Sequence, residues 1–350
     1  MQSADGRPHA ALDVARFLQR RCFWLLLSCY VVAGLWPMPG RAMREWRWTP
    51  AALPAAEFTL PLVLLALLLF CAAVQTDVAQ IRAIGSRPWA LAWGMLAVWL
   101  APALLVLAAA VAVPLLVDRE STAGLLVGLA LVASMPVANS SVGWTQLVRG
   151  NLALSLALVL ATIFLCPWVT PWLLGWLRLS LSTPDQAYLQ TLIDNFSGAF
   201  FIFWVVLPTA AGLACRHALG RERVLAIASW LTLTSVSSLL LLNYVNAALA
   251  LPEVVQQSRI SVLATTAVLA TALSAVGLAA GWLVAKLMRL DAQTRLALMF
   301  GLGMKHTGLA LLLAGAVLAH QRLAILMIVL ATLAQHLLAG LVQWRTRPAE

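Results

Sequence analysis

Apolar stretches, each about as long as a membrane-spanning helix, recur from one end of this chain to the other. A helix needs about 20 mostly apolar residues to cross the hydrocarbon core of a bilayer. Apolar residues make up 62% of the 350 residues and charged residues 10%, whereas a soluble domain carries about 25% charge. We therefore predict an all-α integral membrane protein that is surrounded by a lipid bilayer.

About ten stretches qualify as transmembrane segments. They cover residues 22–36, 58–75, 89–117, 122–148, 151–177, 192–214, 223–250, 259–288, 295–319 and 322–344. Residues 76–88 are predicted to form an interfacial connector, and residues 178–191 a longer loop. Asp194 is placed at the start of the sixth segment, where a carboxylate stabilises the helix dipole.

The basic residues indicate how the chain is oriented. Its net charge is +10, but the 23 lysines and arginines are scattered between the apolar segments and predict no nucleic-acid partner. Most of them lie on the side that an even number of segments assigns to both termini. The positive-inside rule then places the tails 1–21 and 346–350 in the cytoplasm. An arginine-rich, alanine-rich composition is typical of a bacterial protein, which predicts the bacterial inner membrane.

The fourth segment is interrupted by a proline and a run of small polar residues. Pro136 removes a backbone donor near the middle of the membrane and clashes with the preceding helical turn. Asn139, Ser140, Ser141 and Gly143 follow it. We predict a helix break that includes Pro136 and Gly143, with a simple proline kink as the alternative.

The ninth segment is interrupted by glycines and two ionisable side chains. Gly301, Gly303 and Gly308 surround Lys305 and His306 within an otherwise apolar span. Ionisable residues inside a membrane are costly unless they line a cavity or find a partner. We predict a second helix break at these residues, with a glycine packing face as the alternative.

The two interruptions hold corresponding places in the two halves of the chain, because each is the fourth segment of five. Matched breaks are the best sequence indication of a binding site between inverted repeats. We predict one repeat over 22–180 and an inverted repeat over 181–345. The residues predicted to face the substrate are Asn139, Ser140, Ser141, His306 and Thr307. For each of them, a packing or structural role is the alternative.

Two further patterns have structural explanations. Gly124 and Gly128, like Gly277 and Gly281, form GxxxG pairs, which predict close helix packing. The five cysteines show no CxxC spacing and no histidine partner, so they are interpreted as small buried residues.

Two sequence blocks resemble signatures of the bile acid:sodium symporter family. Residues 145–155 read T-Q-L-V-R-G-N-L-A-L-S and are similar to that family's T-Y-L-A-[RK]-G-N-x-A-L-S block. Residues 304–310 read M-K-H-T-G-L-A and resemble its M-Q-N-[ST]-G-L-A block. The resemblance extends over about 58–345. It implies a core domain of helices 3–5 and 8–10, a panel domain of helices 1, 2, 6 and 7, broken helices 4 and 9 that cross in the core, and organic-anion substrates.

The chain departs from this family where sodium-coupled members bind sodium. The family's glutamate and glutamine of helix 9, glutamine of helix 3, asparagine of helix 4 and threonine of helix 5 are all replaced. In the order of the chain, the replacements are Ala97, Val142, Val159, Gly301 and Lys305. Ser141 and Ser155 are retained. Sodium needs several hard oxygen ligands, so we predict no metal site here.

Lys305 then has a specific interpretation. Its ammonium is expected where the resemblance places a sodium ion, between the carbonyl ends of two half-helices. Lys305 or His306 could exchange a proton during transport. Coupling to protons and uncoupled uniport or exchange are both open at this point.

The sequence favours a sodium-independent carrier of a small organic anion that works by alternating access. The alternative is a transport-inactive receptor or sensor with the same fold, because loss of the sodium ligands would accompany such degeneration. An enzyme is not predicted: no nucleophile with a base partner, no HExxH and no Walker motif occurs, and no cofactor is predicted.

Overall fold

The computed structural model describes residues 21–49, 58–75, 88–179, 181, 183–196, 202–257, 259–318 and 320–346. This part of the chain forms 13 α-helices and one short pair of strands. The helices are α1 (Cys22–Leu35), α2 (Met38–Glu45), α3 (Leu60–Gln75), α4 (Pro88–Ala112), α5 (Arg119–Ser134), α6 (Ser140–Leu147), α7 (Leu152–Arg178), α8 (Thr183–Phe196), α9 (Leu207–Gln257), α10 (Ile260–Leu287), α11 (Ala292–Gly303), α12 (Thr307–Val317) and α13 (Arg322–Thr346). The strands β1 (Arg47–Trp48) and β2 (Phe58–Thr59) pair antiparallel. The predicted N-terminal tail and most of the predicted connector 76–88 lie outside the described residues.

Among the described residues, five helical stretches are long and apolar enough to cross a membrane. They are Pro88–Leu115, Leu152–Arg178, Ile202–Leu249, Ile260–Leu287 and Arg322–Thr346. Three shorter apolar helices, Trp24–Leu35, Leu60–Gln75 and Thr307–Val317, accompany them. The prediction of an all-α membrane protein is confirmed. The count of ten spans and the inverted repeats stay predictions.

The longest of these stretches is divided by a glycine. Gly220 has a φ of +73°, a backbone conformation that glycine adopts without the steric cost of a Cβ. Two helices therefore meet at Gly220 within α9. The kink lies between the predicted segments 192–214 and 223–250, as a turn between two spans would.

The prediction of a loop over 178–191 is wrong, because α8 begins at Thr183. Leu189 and Leu192, three residues apart, are both fully buried, so α8 is stabilised by one apolar stripe. This stripe is too short to stand out among polar neighbours in the sequence. Asp194 consequently lies near the end of α8, where it accepts a hydrogen bond from Gln190 Nε2 at 2.8 Å, and it opens no helix.

The chain forms two compact units. The first comprises Met1–Asp77 and Ile202–Ala248, and the second comprises Val78–Phe201 and Leu249–Glu350. Each unit is thus made of two stretches that are distant in the sequence.

Within the first unit, close contacts join α1 and α3 to α9. The Tyr30 hydroxyl donates to Asn243 Oδ1 at 2.6 Å. A Cβ built on Gly212 would lie 2.6 Å from the carbonyl oxygen of Phe70, so glycine is required there for the backbones to approach.

Within the second unit, α10 packs closely against α11, and α5 packs against α13. Both contacts depend on the GxxxG pairs. A Cβ on Gly281 would lie 2.5 Å from the carbonyl oxygen of Leu298, and a Cβ on Gly128 would lie 2.8 Å from the Cα of Ala324. Cβ atoms would overlap backbone at both positions, as the GxxxG pattern predicts.

The two predicted interruptions are present, but only some of the predicted glycines take part in them. The first break covers the residues between Ser134 and Ser140 and includes Pro136. Gly143 lies inside α6, so its assignment to the break is wrong. The proline alone is sufficient, because it forces Met135 into an extended conformation with φ −67° and ψ 152°.

The second break is shorter than predicted. It lies between Gly303, the last residue of α11, and Thr307, the first residue of α12. Gly301 and Gly308 are helical, so their assignment as break residues is wrong. At Gly301 a small residue is needed for packing instead, since a Cβ there would lie 2.9 Å from Leu158 Cδ1.

Candidate functional site

The two breaks lie against each other in the second unit and pair through their backbones. Val137 and Lys305 form an antiparallel bridge. The amide of Ala138 donates to the carbonyl oxygen of Met304 at 2.9 Å, and the amide of His306 donates to that of Pro136 at 2.9 Å. Each break therefore satisfies backbone groups that the other leaves without a helical partner, as a non-helical segment in a membrane requires.

Side chains from neighbouring helices satisfy further backbone groups of the first break. Thr162 Oγ1 accepts a hydrogen bond from the amide of Val137 at 3.1 Å. The carbonyl oxygen of Ser134 accepts from Thr170 Oγ1 at 2.7 Å and from Trp99 Nε1 at 3.1 Å. The sequence analysis missed these three residues. Two threonines eight residues apart on one face of α7 were the available signal.

Lys305 extends its side chain into this crossing and is 3% exposed. Its ammonium donates to the carbonyl oxygen of Val98 on α4 at 2.5 Å and to that of Met135 at 3.1 Å. Met135 directly follows the last residue of α5, where the helix dipole is negative and favours a cation. The ammonium is thus held by backbone oxygens, and its described partners include no carboxylate.

Gln335 on α13 supports the same break. Its Oε1 accepts a hydrogen bond from the backbone amide of Lys305 at 3.0 Å, and its Nε2 donates to Thr307 Oγ1 at 3.5 Å. Gln335 and Thr307 are both buried. The sequence analysis missed Gln335, since a lone glutamine in an apolar segment gives no indication of its partner.

His306 is the N-cap residue of α12. Its Nδ1 accepts a hydrogen bond from the amide of Leu309 at 3.2 Å, and the residue is 5% exposed. Because Nδ1 is an acceptor, the ring in this arrangement is neutral and carries its proton on Nε2. Nε2–H remains as a donor.

The polar residues after the first break begin α6. Asn139 is its N-cap, but the amide side chain forms no capping hydrogen bond, and its Nδ2 has no partner. Ser141 is fully buried, and its Oγ also has no partner. Ser140, the first residue of α6, is partly exposed. Polar atoms that are buried without a hydrogen-bond partner are energetically costly.

The retained Ser155 lies beside α6. Its Oγ lies 3.3 Å from Thr145 Oγ1, and the Thr145 hydroxyl donates to the carbonyl oxygen of Ser141 at 2.8 Å. Both side chains are completely buried. They join α6 to α7 below the break.

The positions that the sequence resemblance assigns to sodium ligands carry no oxygen-bearing side chain. The apolar side chain of Leu158 occupies part of the space around these positions, because it packs directly over Gly301 and also lies against Gly94. Val159 is 4% exposed, and Ala97 and Val142 are partly exposed. No group of three or more His, Cys, Asp or Glu residues that could hold a metal occurs among the described residues.

The family model described as Sodium Bile acid symporter family matches residues 62–257. The matched range is more than half of the chain and contains the first break with the T-Q-L-V-R-G-N-L-A-L-S block. The chain belongs to this family. It is accordingly a membrane transporter of the bile acid:sodium symporter type, and family members are transporters and not enzymes. No curated protein matches the chain.

Proposed function

We propose that this symporter-family member carries a small organic anion without sodium, and that the Lys305 ammonium takes the place of a bound sodium ion. The observation that carries the proposal is the pair of hydrogen bonds from Lys305 Nζ to the carbonyl oxygens of Val98 and Met135. A sodium ion would use such carbonyls as ligands. The Lys305 ammonium, which is covalently part of the chain, neutralises the negative C-terminal end of α5 in place of a bound ion.

The surroundings of Lys305 support this substitution. A carboxylate at position 301 would collide with Leu158, and the residue at 305 is itself a cation. Two cations in one small site repel each other strongly at the low dielectric of a membrane interior. A permanently tethered cation therefore makes an external sodium ion unnecessary and unfavourable.

The anion is proposed to bind at the N-terminal ends of α6 and α12. Helix N-termini attract anions through their free amides and their dipole. Asn139 Nδ2 is an unsatisfied donor there, and Ser141 Oγ is a second unsatisfied group. Ser140 and Thr307 are their neighbours along the two helices, and His306 contributes its Nε2–H.

Any coupling to protons is proposed to use Lys305 and not His306. Nδ1 of His306 accepts a hydrogen bond from an amide, so protonation of His306 would break the cap of α12. Lys305 can lose a proton and keep its carbonyl partners as a neutral amine. Without such proton loss, the carrier would work as a uniporter or exchanger.

Alternating access is proposed to arise from movement of the first unit against the second. In support of this proposal, the first unit contains predicted helices 1, 2 and 7 and part of predicted helix 6, which the resemblance assigns to the panel domain. The paired breaks lie wholly in the second unit. The halves 22–180 and 181–345 are proposed as inverted repeats. The proposed location is a bacterial inner membrane with both termini cytoplasmic, which the distribution of basic residues supports.

Uptake into proteoliposomes tests the proposal. A panel of steroid and short-chain carboxylates is supplied with a sodium gradient, a proton gradient or neither. We expect uptake that is indifferent to sodium, and a loss of uptake or of its pH response in Lys305→Ala. Lys286→Ala is the matched control, because Lys286 is the other lysine of the chain and is exposed.

Sodium-driven uptake by the wild type would overturn the proposal. Binding of a carboxylate without any uptake would instead favour a transport-inactive receptor.

A further inference from the structure

Two turns at one end of the second unit carry arginine in a left-handed backbone conformation. Arg149 has a φ of 55° and Arg289 a φ of 53°, and they are the two non-glycine residues with positive φ in the described ranges. Each follows the end of a helix that is closed by a six-residue backbone bond, Gly150 to Thr145 and Leu290 to Ala285. Glycine is the favoured residue at this position. The presence of arginine at both turns therefore calls for a functional explanation.

These two turns lie side by side. The amide of Asn151 donates to the carbonyl oxygen of Gln293 at 3.0 Å, and Asn151 Nδ2 lies 3.4 Å from Thr294 Oγ1. Asn151 is two residues from Arg149, and Gln293 is four residues from Arg289. The contacts bring both arginines, which are exposed, to one end of the unit.

Further cations gather at the same end. Val148, Leu296 and Val342 all pack against one buried cluster that includes Phe300 and Met304. An exposed arginine lies within one helical turn of each of these three residues. Arg149 follows Val148, Arg295 precedes Leu296, and Arg345 lies three residues after Val342. With Lys286 at the end of α10, the basic residues of this end are Arg149, Lys286, Arg289, Arg295 and Arg345. We name these five residues the arginine rim.

Acidic residues do not balance this charge. Within 285–296 the sequence contains a single acid, Asp291, and none occurs within 139–151 or 336–346. Asp291 already accepts a hydrogen bond from the amide of Thr294 at 2.8 Å as the N-cap of α11. The rim is therefore a concentrated positive surface.

Tryptophans place the rim at the level of lipid headgroups. Trp282 is 42% exposed, and Lys286 Nζ lies 4.8 Å from the centre of its ring. Trp344, next to Arg345, is 70% exposed. Exposed tryptophans in membrane proteins concentrate at the membrane–water interface, where the abundant anion is the lipid phosphate.

We propose that the arginine rim binds the headgroup phosphate of acidic phospholipids. Arginine forms paired hydrogen bonds with phosphate oxygens, and several cations on adjacent turns can hold one headgroup together. This gives a reason for arginine at two positions where glycine would be favoured. The inference does not rest on the proposed transport function.

Native mass spectrometry of the full chain in detergent micelles tests the proposal. Phosphatidylglycerol and phosphatidylcholine are titrated separately onto the wild type and onto Arg149→Gly/Arg289→Gly, which keeps the backbone conformation and removes two charges. We expect the wild type to prefer phosphatidylglycerol. In the double variant, the apparent dissociation constant for this lipid should rise about fivefold per removed charge.

Two controls separate charge from structure and position. Arg149→Lys/Arg289→Lys keeps the charges and should retain most of the affinity. Arg259→Gln removes an exposed arginine at the opposite end of α10 and should leave the affinity unchanged. If the glycine variant does not fold, Arg295→Gln/Arg345→Gln replaces it with the same expectation.

Three results would overturn the proposal. They are an unchanged phosphatidylglycerol affinity in the charge-removing variant, equal binding of phosphatidylcholine, and displacement of the lipid by millimolar inorganic phosphate, which would identify a soluble anion as the ligand. A fourth such result is a loss of affinity in the lysine variant that equals the loss in the glycine variant.

Discussion

Lys305 Nζ lies 3.1 Å from the carbonyl oxygen of Met135, which directly precedes Pro136, the proline of the first break. This contact connects the two interrupted segments through a side chain, in addition to the backbone bridge between Val137 and Lys305. A change at Lys305 is therefore transmitted to both breaks. The contact between Lys305 and Met135 also explains why a lysine is tolerated in the interior of this membrane protein, because the Lys305 charge faces the negative end of α5.

A sodium response should be gained when the family residues are restored at positions 301 and 305. Gly301→Glu and Lys305→Gln supply oxygen ligands, and Leu158→Ala removes the side chain that would collide with a glutamate. With sodium at about ten times its dissociation constant, the triple variant should be stabilised by about 1.4 kcal/mol. The measurement is the thermal unfolding midpoint in sodium and in potassium. A wild type that is itself stabilised by sodium would contradict the proposed role of Lys305.

Thr162→Val should destabilise the first break. The substitution keeps the shape of the side chain but removes the acceptor for the amide of Val137, and an unsatisfied buried donor costs about 1–3 kcal/mol. Thr271→Val is the matched control, since Thr271 is exposed and bonds only to the carbonyl oxygen of Ala267 in its own helix. Tryptophan fluorescence during heating follows both variants. Equal unfolding midpoints for the two would show that Thr162 is not needed at the break.

Glycine-to-alanine substitutions should have opposite effects at two positions. A Cβ at Gly281 would meet the backbone of α11, so Gly281→Ala should cost about 1–3 kcal/mol through overpacking. A Cβ at Gly143 would meet nothing within 4 Å, so Gly143→Ala should stabilise α6 by up to about 1 kcal/mol. Thermal midpoints in one detergent compare the variants. A destabilised Gly143→Ala variant would contradict the position of Gly143 inside α6 and favour its place in the helix break.

Asp118 should contribute a pH-dependent part of the stability. The backbone amide of Ser121 donates to Asp118 Oδ1 at 2.9 Å, and this bond, with the Ser121 hydroxyl and the charge of Arg259, holds the pKa of the carboxyl below its ordinary value. A lowered native pKa favours the folded state above the unfolded pKa of about 4, and this contribution is lost as the pH falls through the native value.

The measurement for Asp118 is the unfolding midpoint between neutral pH and about pH 3. Asp118→Asn keeps a capping oxygen but should lose this part of the pH dependence, while Asp118→Ala should lower stability by about 1 kcal/mol at neutral pH. Identical pH profiles for the wild type and Asp118→Asn would exclude the carboxyl as the titrating group.

Some features of the site follow from local sequence. Apolar length identifies the membrane segments, because every spanning helix must cover the same thickness of hydrocarbon. Pro136 identifies the first break, because proline disrupts a helix through its own ring and missing amide. Lys305 and His306 mark the second break, because ionisable groups inside a membrane are rare and functional. The polar helix α8 was missed, since two buried leucines are a weak periodic signal.

The partners of these residues were decided only by the tertiary structure. Lys305 lies 207 residues from Val98 and 170 residues from Met135 in the sequence, and Gln335 lies 30 residues beyond it. Local patterns indicate which side chain is costly to bury, but they do not indicate which distant carbonyl or amide compensates for that cost. The same holds for Leu158 over Gly301 and for Thr162 under Val137. Apolar thickness and backbone sterics act on each segment separately, whereas the hydrogen bonds that close the breaks exist only once the helices have packed together.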